Sequence, residues 1–130
     1  PLISFDTDSG AQAEDGRLSE SKSHPRAWGT FARILGRYVR EEKLLTLEEA
    51  VRKMTSLAAS RAGFKDRGVL REGMKADVVV FNPRTVQDLS TYEDPHRFSK
   101  GVAHVLVNGK ATLRDGKMTG ELPGRILRRQ

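Results

Sequence analysis

The chain opens on a short apolar run, Leu2, Ile3 and Phe5, and turns polar from Asp6 to Ser23. Residues 2–5 read as a short buried strand, and the polar stretch as a long loop of the kind that carries function or lacks order. A helical period then takes over at residues 30–43. Phe31, Ile34, Leu35, Tyr38 and Val39 form one apolar stripe, with Arg33, Arg37 and Arg40 mostly off it. Thr46 followed by Glu49 is a capping box that opens a second helix. Its buried face is Leu47, Ala50, Val51, Met54, Leu57 and Ala58, and Gly63 is its stop. Beyond Gly63 the period changes. Val69-Leu70 and residues 76–81 read as strands, residues 84–101 as irregular, and Val102–Val107 as a strand. Asn108-Gly109 is a strong two-residue hairpin signal, Lys110–Arg114 is the returning strand, and Asp115-Gly116 marks a further turn. The pattern is a mixed α/β one: a strand and two helices, then a small β-unit.

Composition narrows the classes. At 130 residues, 37% hydrophobic and 31% charged, the chain fits a soluble globular protein. No apolar run is long enough for a membrane span, and no signal segment opens the chain. The absence of cysteine excludes disulfides, thiolate metal sites and a cysteine nucleophile, and fits a cytoplasmic setting. The net charge of +6 raises the question of nucleic acid. The basic residues are scattered and have acids close by, except at residues 125–129, so a solvated surface is the expectation and no nucleic-acid partner.

Few residues stand in positions that suggest chemistry. Asp8 sits just past the apolar run, in Thr7-Asp8-Ser9-Gly10, where the end of a barrel strand would place an acid for catalysis; such an acid also serves in an Asx turn or a helix cap. Asp6 is the alternative acid. The three histidines, His24, His96 and His104, have no metal-site spacing. His96, in a loop after Pro95, is expected to be exposed, and His104 to be a core or edge-strand histidine. Trp28 and Phe31 could wall a pocket or pack under a helix. No serine-nucleophile elbow or phosphate loop occurs.

The segment His24-Pro25-Arg26-Ala27-Trp28-Gly29-Thr30-Phe31 resembles the His-Pro-Arg motif of D-aminoacylases and related N-acyl-D-amino-acid deacylases of the amidohydrolase superfamily. The likeness continues through residues 47–55, Asp66-Arg67-Gly68, residues 72–81 with their Gly-x-x-Ala-Asp core, Asp94-Pro95 and Val105-Leu106-Val107-Asn108-Gly109. The His-Pro-Arg piece is family-specific, whereas the Gly-x-x-Ala-Asp and Val-Asn-Gly pieces mark the superfamily.

The resemblance implies the last strand and helices of a TIM-type barrel at residues 1–63, followed by part of a small β-domain at residues 64–130. It implies a divalent metal, usually zinc, in the full-length enzyme. Asp8 matches the acid that binds metal and moves the proton, Arg26 the arginine that grips the substrate carboxylate, and His24 a loop-shaping or substrate-contacting residue. The substrate class is the N-acyl-D-amino acids. The expected His-x-His of the metal site is not in these residues, so the isolated chain is expected to bind no metal and to be inactive. Open strand edges would be covered in a homo-oligomer or by exchange between chains. The rival readings are a non-catalytic β-rich binding or structural module, and a sister activity of the dihydroorotase or hydantoinase kind.

Overall fold

The structure is a computed structural model that describes residues 3–10, 13 and 15–128. It divides into two compact units. One comprises Asp6–Leu47 and Pro83–Gly101, and the other is built from Glu48–Asn82 together with the described residues of both chain ends.

The first unit is organised on one long helix. Helix α1 spans Arg26–Arg33 and continues as a π-helical stretch, Ile34–Glu41. The helix therefore starts four residues before the apolar period suggests. The cause is local: His24 Nδ1 accepts the Arg26 backbone N–H at 3.0 Å, and the Thr30 hydroxyl returns to the Arg26 carbonyl at 2.8 Å. Pro25 supplies a helical φ of −52° just ahead of the first turn. Wider winding is visible at the far end, where Glu42 N–H bonds the Arg37 carbonyl five residues back at 2.8 Å. Ala32, Ile34 and Leu35 are buried, together with Val86 and Ser90 from the irregular segment.

That segment approaches the helix backbone to backbone. A Cβ on Gly36 would lie 2.7 Å from the Val86 carbonyl oxygen, and one on Gly29 would lie 2.9 Å from Asp88 Cβ. Arg40 Nη1 donates to the Val86 carbonyl at 2.6 Å, so the same close approach also satisfies a backbone acceptor.

In the second unit, α2 spans Leu47–Met54 and α3 spans Ser56–Ala62, so the single helix expected here is broken at Thr55. Thr55 leaves the helical region at φ −124°, ψ −91°, and its hydroxyl bonds the Val51 carbonyl at 2.7 Å. Gly63, at φ 80°, ends α3 as the sequence pattern predicts. Glu49 is turned to Arg52, at 2.7 and 2.9 Å. That bond, followed by the nearby charges of Arg52 and Lys53, holds the Glu49 carboxyl below its usual range.

The sheet is an antiparallel meander of β1 (Val78–Phe81), β2 (Val102–Val107), β3 (Lys110–Arg114) and β4 (Lys117–Met118). Asn108 and Gly109 have φ of 49° and 81°, and Asp115 and Gly116 have 50° and 73°, the left-handed pairs of tight hairpin turns. The second of these turns leads into β4, a strand too short to announce itself by period. Asp77 anchors the first turn: its Oδ1 accepts the Asn108 N–H at 2.8 Å, and its Oδ2 pairs with Arg67 Nη1 at 2.5 Å. The Asp of Gly-x-x-Ala-Asp is thus a structural tie between the hairpin and the Asp66-Arg67-Gly68 loop.

Two strand expectations are corrected. Residues 3–5 form no strand; the Phe5 N–H instead bonds the Lys53 carbonyl at 3.2 Å, and Lys53 Nζ reaches the Ile3 carbonyl. Leu2 lies outside the described residues. Val69 and Leu70 are exposed and belong to no strand, in a stretch bent between left-handed Gly68 and Gly73. Along β2 all six residues are half-buried, so neither face of the strand is sealed. No described helix is long and apolar enough to cross a membrane.

Gly36→Ala is expected to destabilise the protein. Helix propensity alone would favour alanine by ~1 kcal/mol. Overpacking against a backbone carbonyl that cannot rotate away costs ~1–3 kcal/mol and decides the sign. A lowered midpoint in thermal or denaturant unfolding checks it, with Gly124→Ala, which meets nothing within 4 Å, as the neutral control.

Candidate functional site

The loop that follows Phe5 begins with an Asx turn. Asp6 Oδ1 accepts the Thr7 N–H at 2.5 Å and the Asp8 N–H at 3.2 Å. The Asp6 carboxylate therefore bonds its own loop. Asp8 is held at φ 47°, with its side chain 87% exposed, and its Oδ2 lies 3.3 Å from Arg26 Nη2. The two acids have separated roles: one shapes the turn and the other projects.

Arg26 stands at the first turn of α1, its backbone fixed by His24. A cleft of about 330 Å³ opens beside it, and its wall includes His24, Arg26, Arg33, Asp88, Tyr92 and Glu93. The two arginines differ in state. Arg33 is engaged by Asp88, through Nε at 2.9 Å and Nη2 at 2.8 Å, and the Asp88 side chain is only 12% exposed. Among the described residues the Arg26 side chain has one ion pair, with the exposed Asp8, which leaves most of its five guanidinium N–H donors open. Exposed pairs of that kind are worth ~0–1 kcal/mol and exchange readily. Glu93 is held below the usual carboxylate range by its own backbone N–H, then by the Thr91 hydroxyl, with a smaller contribution from Lys22.

The sequence-derived site residues thus come together in part. Asp8, His24 and Arg26 are near one another, with Asp8 beside Arg26 and His24 and Arg26 in the cleft wall. Trp28 and Phe31 are not in that wall. Trp28 packs on His96 and Phe98, with ring centroids 5.4 and 5.2 Å away. His96 is therefore half-buried and not exposed, with its ring against Trp28. His104 lies on β2, where its Nδ1 accepts the Asp115 N–H at 3.3 Å and steadies the second hairpin. Asp88, Thr91, Tyr92 and Glu93 escape sequence reasoning. They lie in a segment without period, and the one cue to its course is Asp94-Pro95.

The metal implied by the motif finds only part of a site here. Among the described residues no group of three or more His, Cys, Asp or Glu is placed to hold an ion. Zinc sites take three or four such ligands, and one carboxylate does not meet that need.

The amidohydrolase family profile matches residues 10–113, and the chain belongs to that family. It is 53% identical over 115 residues to an N-acyl-D-glutamate deacylase of Alcaligenes xylosoxydans xylosoxydans, a match covering 88% of this chain and 23% of the relative. The crystal structure of a D-aminoacylase superposes with a TM-score of 0.80 at 47% identity, over 83% of this chain and 23% of that one. An N-acyl-D-glutamate deacylase from Bordetella bronchiseptica, solved with zinc and a phosphonate mimic of the tetrahedral intermediate, gives 0.69 at 52% identity, over 75% and 21%. The chain spans about a quarter of the length of the relatives it matches. These relatives are hydrolases of amide bonds, and the described residues carry no complete metal-binding group of their own.

The Arg33–Asp88 pair is expected to contribute more than a surface pair. A double-mutant cycle of Arg33→Ala and Asp88→Ala should give a coupling of ~1 kcal/mol or more in unfolding free energy. The same cycle on Arg97 and Asp94, both more than half exposed, should stay below ~0.5 kcal/mol.

Proposed function

We propose that this chain is the C-terminal part of a metal-dependent amidohydrolase that cleaves the amide bond of N-acyl-D-amino acids in the cytoplasm. In the whole enzyme, residues 1–63 would belong to the closing part of a TIM-type barrel and residues 64–130 to a small β-domain. The observation that carries the reading is Arg26, held by the His-Pro-Arg segment in the wall of a cleft and ion-paired, among the described residues, with one exposed acid. A guanidinium fork suits a carboxylate, which every N-acyl amino acid presents.

Asp8 is the proposed acid, serving as one metal ligand and as the carrier of the proton to the leaving amine nitrogen. The engagement of Asp6 in its own turn supports Asp8 over Asp6. The other metal ligands would come from outside these residues, and the metal, zinc in the Bordetella relative, would supply Lewis-acid polarisation. Arg26 orients the substrate, and His24 holds Arg26 in place.

On this reading the 130-residue chain alone has no deacylase activity. Hydrolysis of N-acetyl-D-methionine or N-acetyl-D-glutamate by the pure chain, above a chelated control, contradicts it.

In the full-length enzyme, Asp8→Asn should cost ~10²–10⁴-fold in kcat or more, with the fold retained by circular dichroism. Asp6→Asn should be much milder, and the reverse ranking would move the role to Asp6. Arg26→Lys should lower kcat/KM roughly ten- to a hundredfold, mainly through KM, for substrates with a free α-carboxylate. The α-carboxamide analogue should be nearly indifferent. An equal loss for both would make Arg26 structural.

A further inference from the structure

The bonds around His24 fix its tautomer, and the tautomer decides what a neighbouring tyrosine can do. Nδ1 accepts the Arg26 backbone N–H at 3.0 Å, so it carries a lone pair and no proton. In a neutral imidazole the proton is then on Nε2. Nε2 lies 3.0 Å from the Tyr92 hydroxyl oxygen, with the two rings edge-on at 5.1 Å. Nε2–H therefore donates and the Tyr92 oxygen accepts. The phenolic proton is not used in this bond, and the bond is the one that this hydroxyl makes among the described residues.

Tyr92 lines the same cleft as Arg26, which places a neutral O–H donor and a cation in one wall. The other charged groups there are committed: Arg33 to Asp88, and Glu93 to its own N–H and the Thr91 hydroxyl. We propose that Tyr92 is a second binding residue for the substrate α-carboxylate, donating its hydroxyl proton to the anion that Arg26 holds. This rests on the carboxylate-clamp reading of Arg26 and extends it. His24 then serves both partners. Its Nδ1 presents the Arg26 backbone, and its Nε2–H orients the Tyr92 oxygen so that the O–H is left for substrate.

The test uses the full-length enzyme with N-acetyl-D-glutamate and its α-carboxamide, read as KM, or as competitive Ki for a compound that is not turned over. Tyr92→Phe removes one oxygen at an exposed position. It should weaken binding of the free acid about tenfold, the loss of one hydrogen bond to a charged group, with kcat within about twofold. The carboxamide should change less than about twofold. An effect of Arg26→Lys on the free acid with none from Tyr92→Phe overturns the Tyr92 assignment and leaves the clamp standing. No effect from either variant overturns both. Equal weakening of acid and carboxamide by Tyr92→Phe also overturns it, because the hydroxyl would then be serving the shape of the cleft.

Discussion

The close approach of one irregular segment to one helix governs the unit that carries the site. Gly29 and Gly36 lie on the helix where Asp88 and the Val86 carbonyl come nearest, and neither position has room for a side chain. Given that approach, Val86 becomes the most buried large residue, 1% exposed, Arg40 can reach its carbonyl, and Asp88 can neutralise Arg33. Arg33 is thereby engaged, and under the proposed function it does not compete for the substrate anion. Arg26 is left as the cleft arginine with donors to offer, and its position follows from where the helix begins. The chemistry of the cleft is in this sense set by backbone packing two turns away.

What the sequence conveyed depended on whether local or distant forces decide each feature. The hairpin at Asn108-Gly109 was legible because two residues with left-handed φ suffice to make it. Gly63 as a helix stop was legible for the same reason. The His-Pro-Arg motif drew attention to His24 and Arg26, which both line the cleft. The start of α1 was misplaced because a histidine took the capping role that serine or aspartate usually signals. The break at Thr55 and the π-helical winding after Arg33 have no periodic signature, since the apolar stripe runs through both. The lost strand at residues 3–5 is a case of an apolar run that finds a carbonyl on Lys53 in place of a neighbouring strand.

The cleft residues from the irregular segment were the least legible. Tyr92 and Asp88 acquire meaning only from partners 68 and 55 residues away. Nothing in the spacing of Asp88, Thr91, Tyr92 and Glu93 sets them apart from other loop residues. In contrast, Asp77 looked like a family marker and turned out to be a tie for a hairpin turn. Its contacts with Arg67 and Asn108 account for the residue by its part in folding.

The place of Pro83–Gly101 in the chain bears on how the protein is made. This segment completes the helical unit, yet it is translated between β1 and β2. The apolar side of Arg26–Arg33 and its continuation must wait for Val86 to leave the ribosome, and β1 must wait for β2 beyond it. The helical unit has its last residue at Gly101, before any of β2 is made, so it can close first and the sheet follows. A nascent chain stalled before residue 83 would display Ala32, Ile34 and Leu35 without their cover.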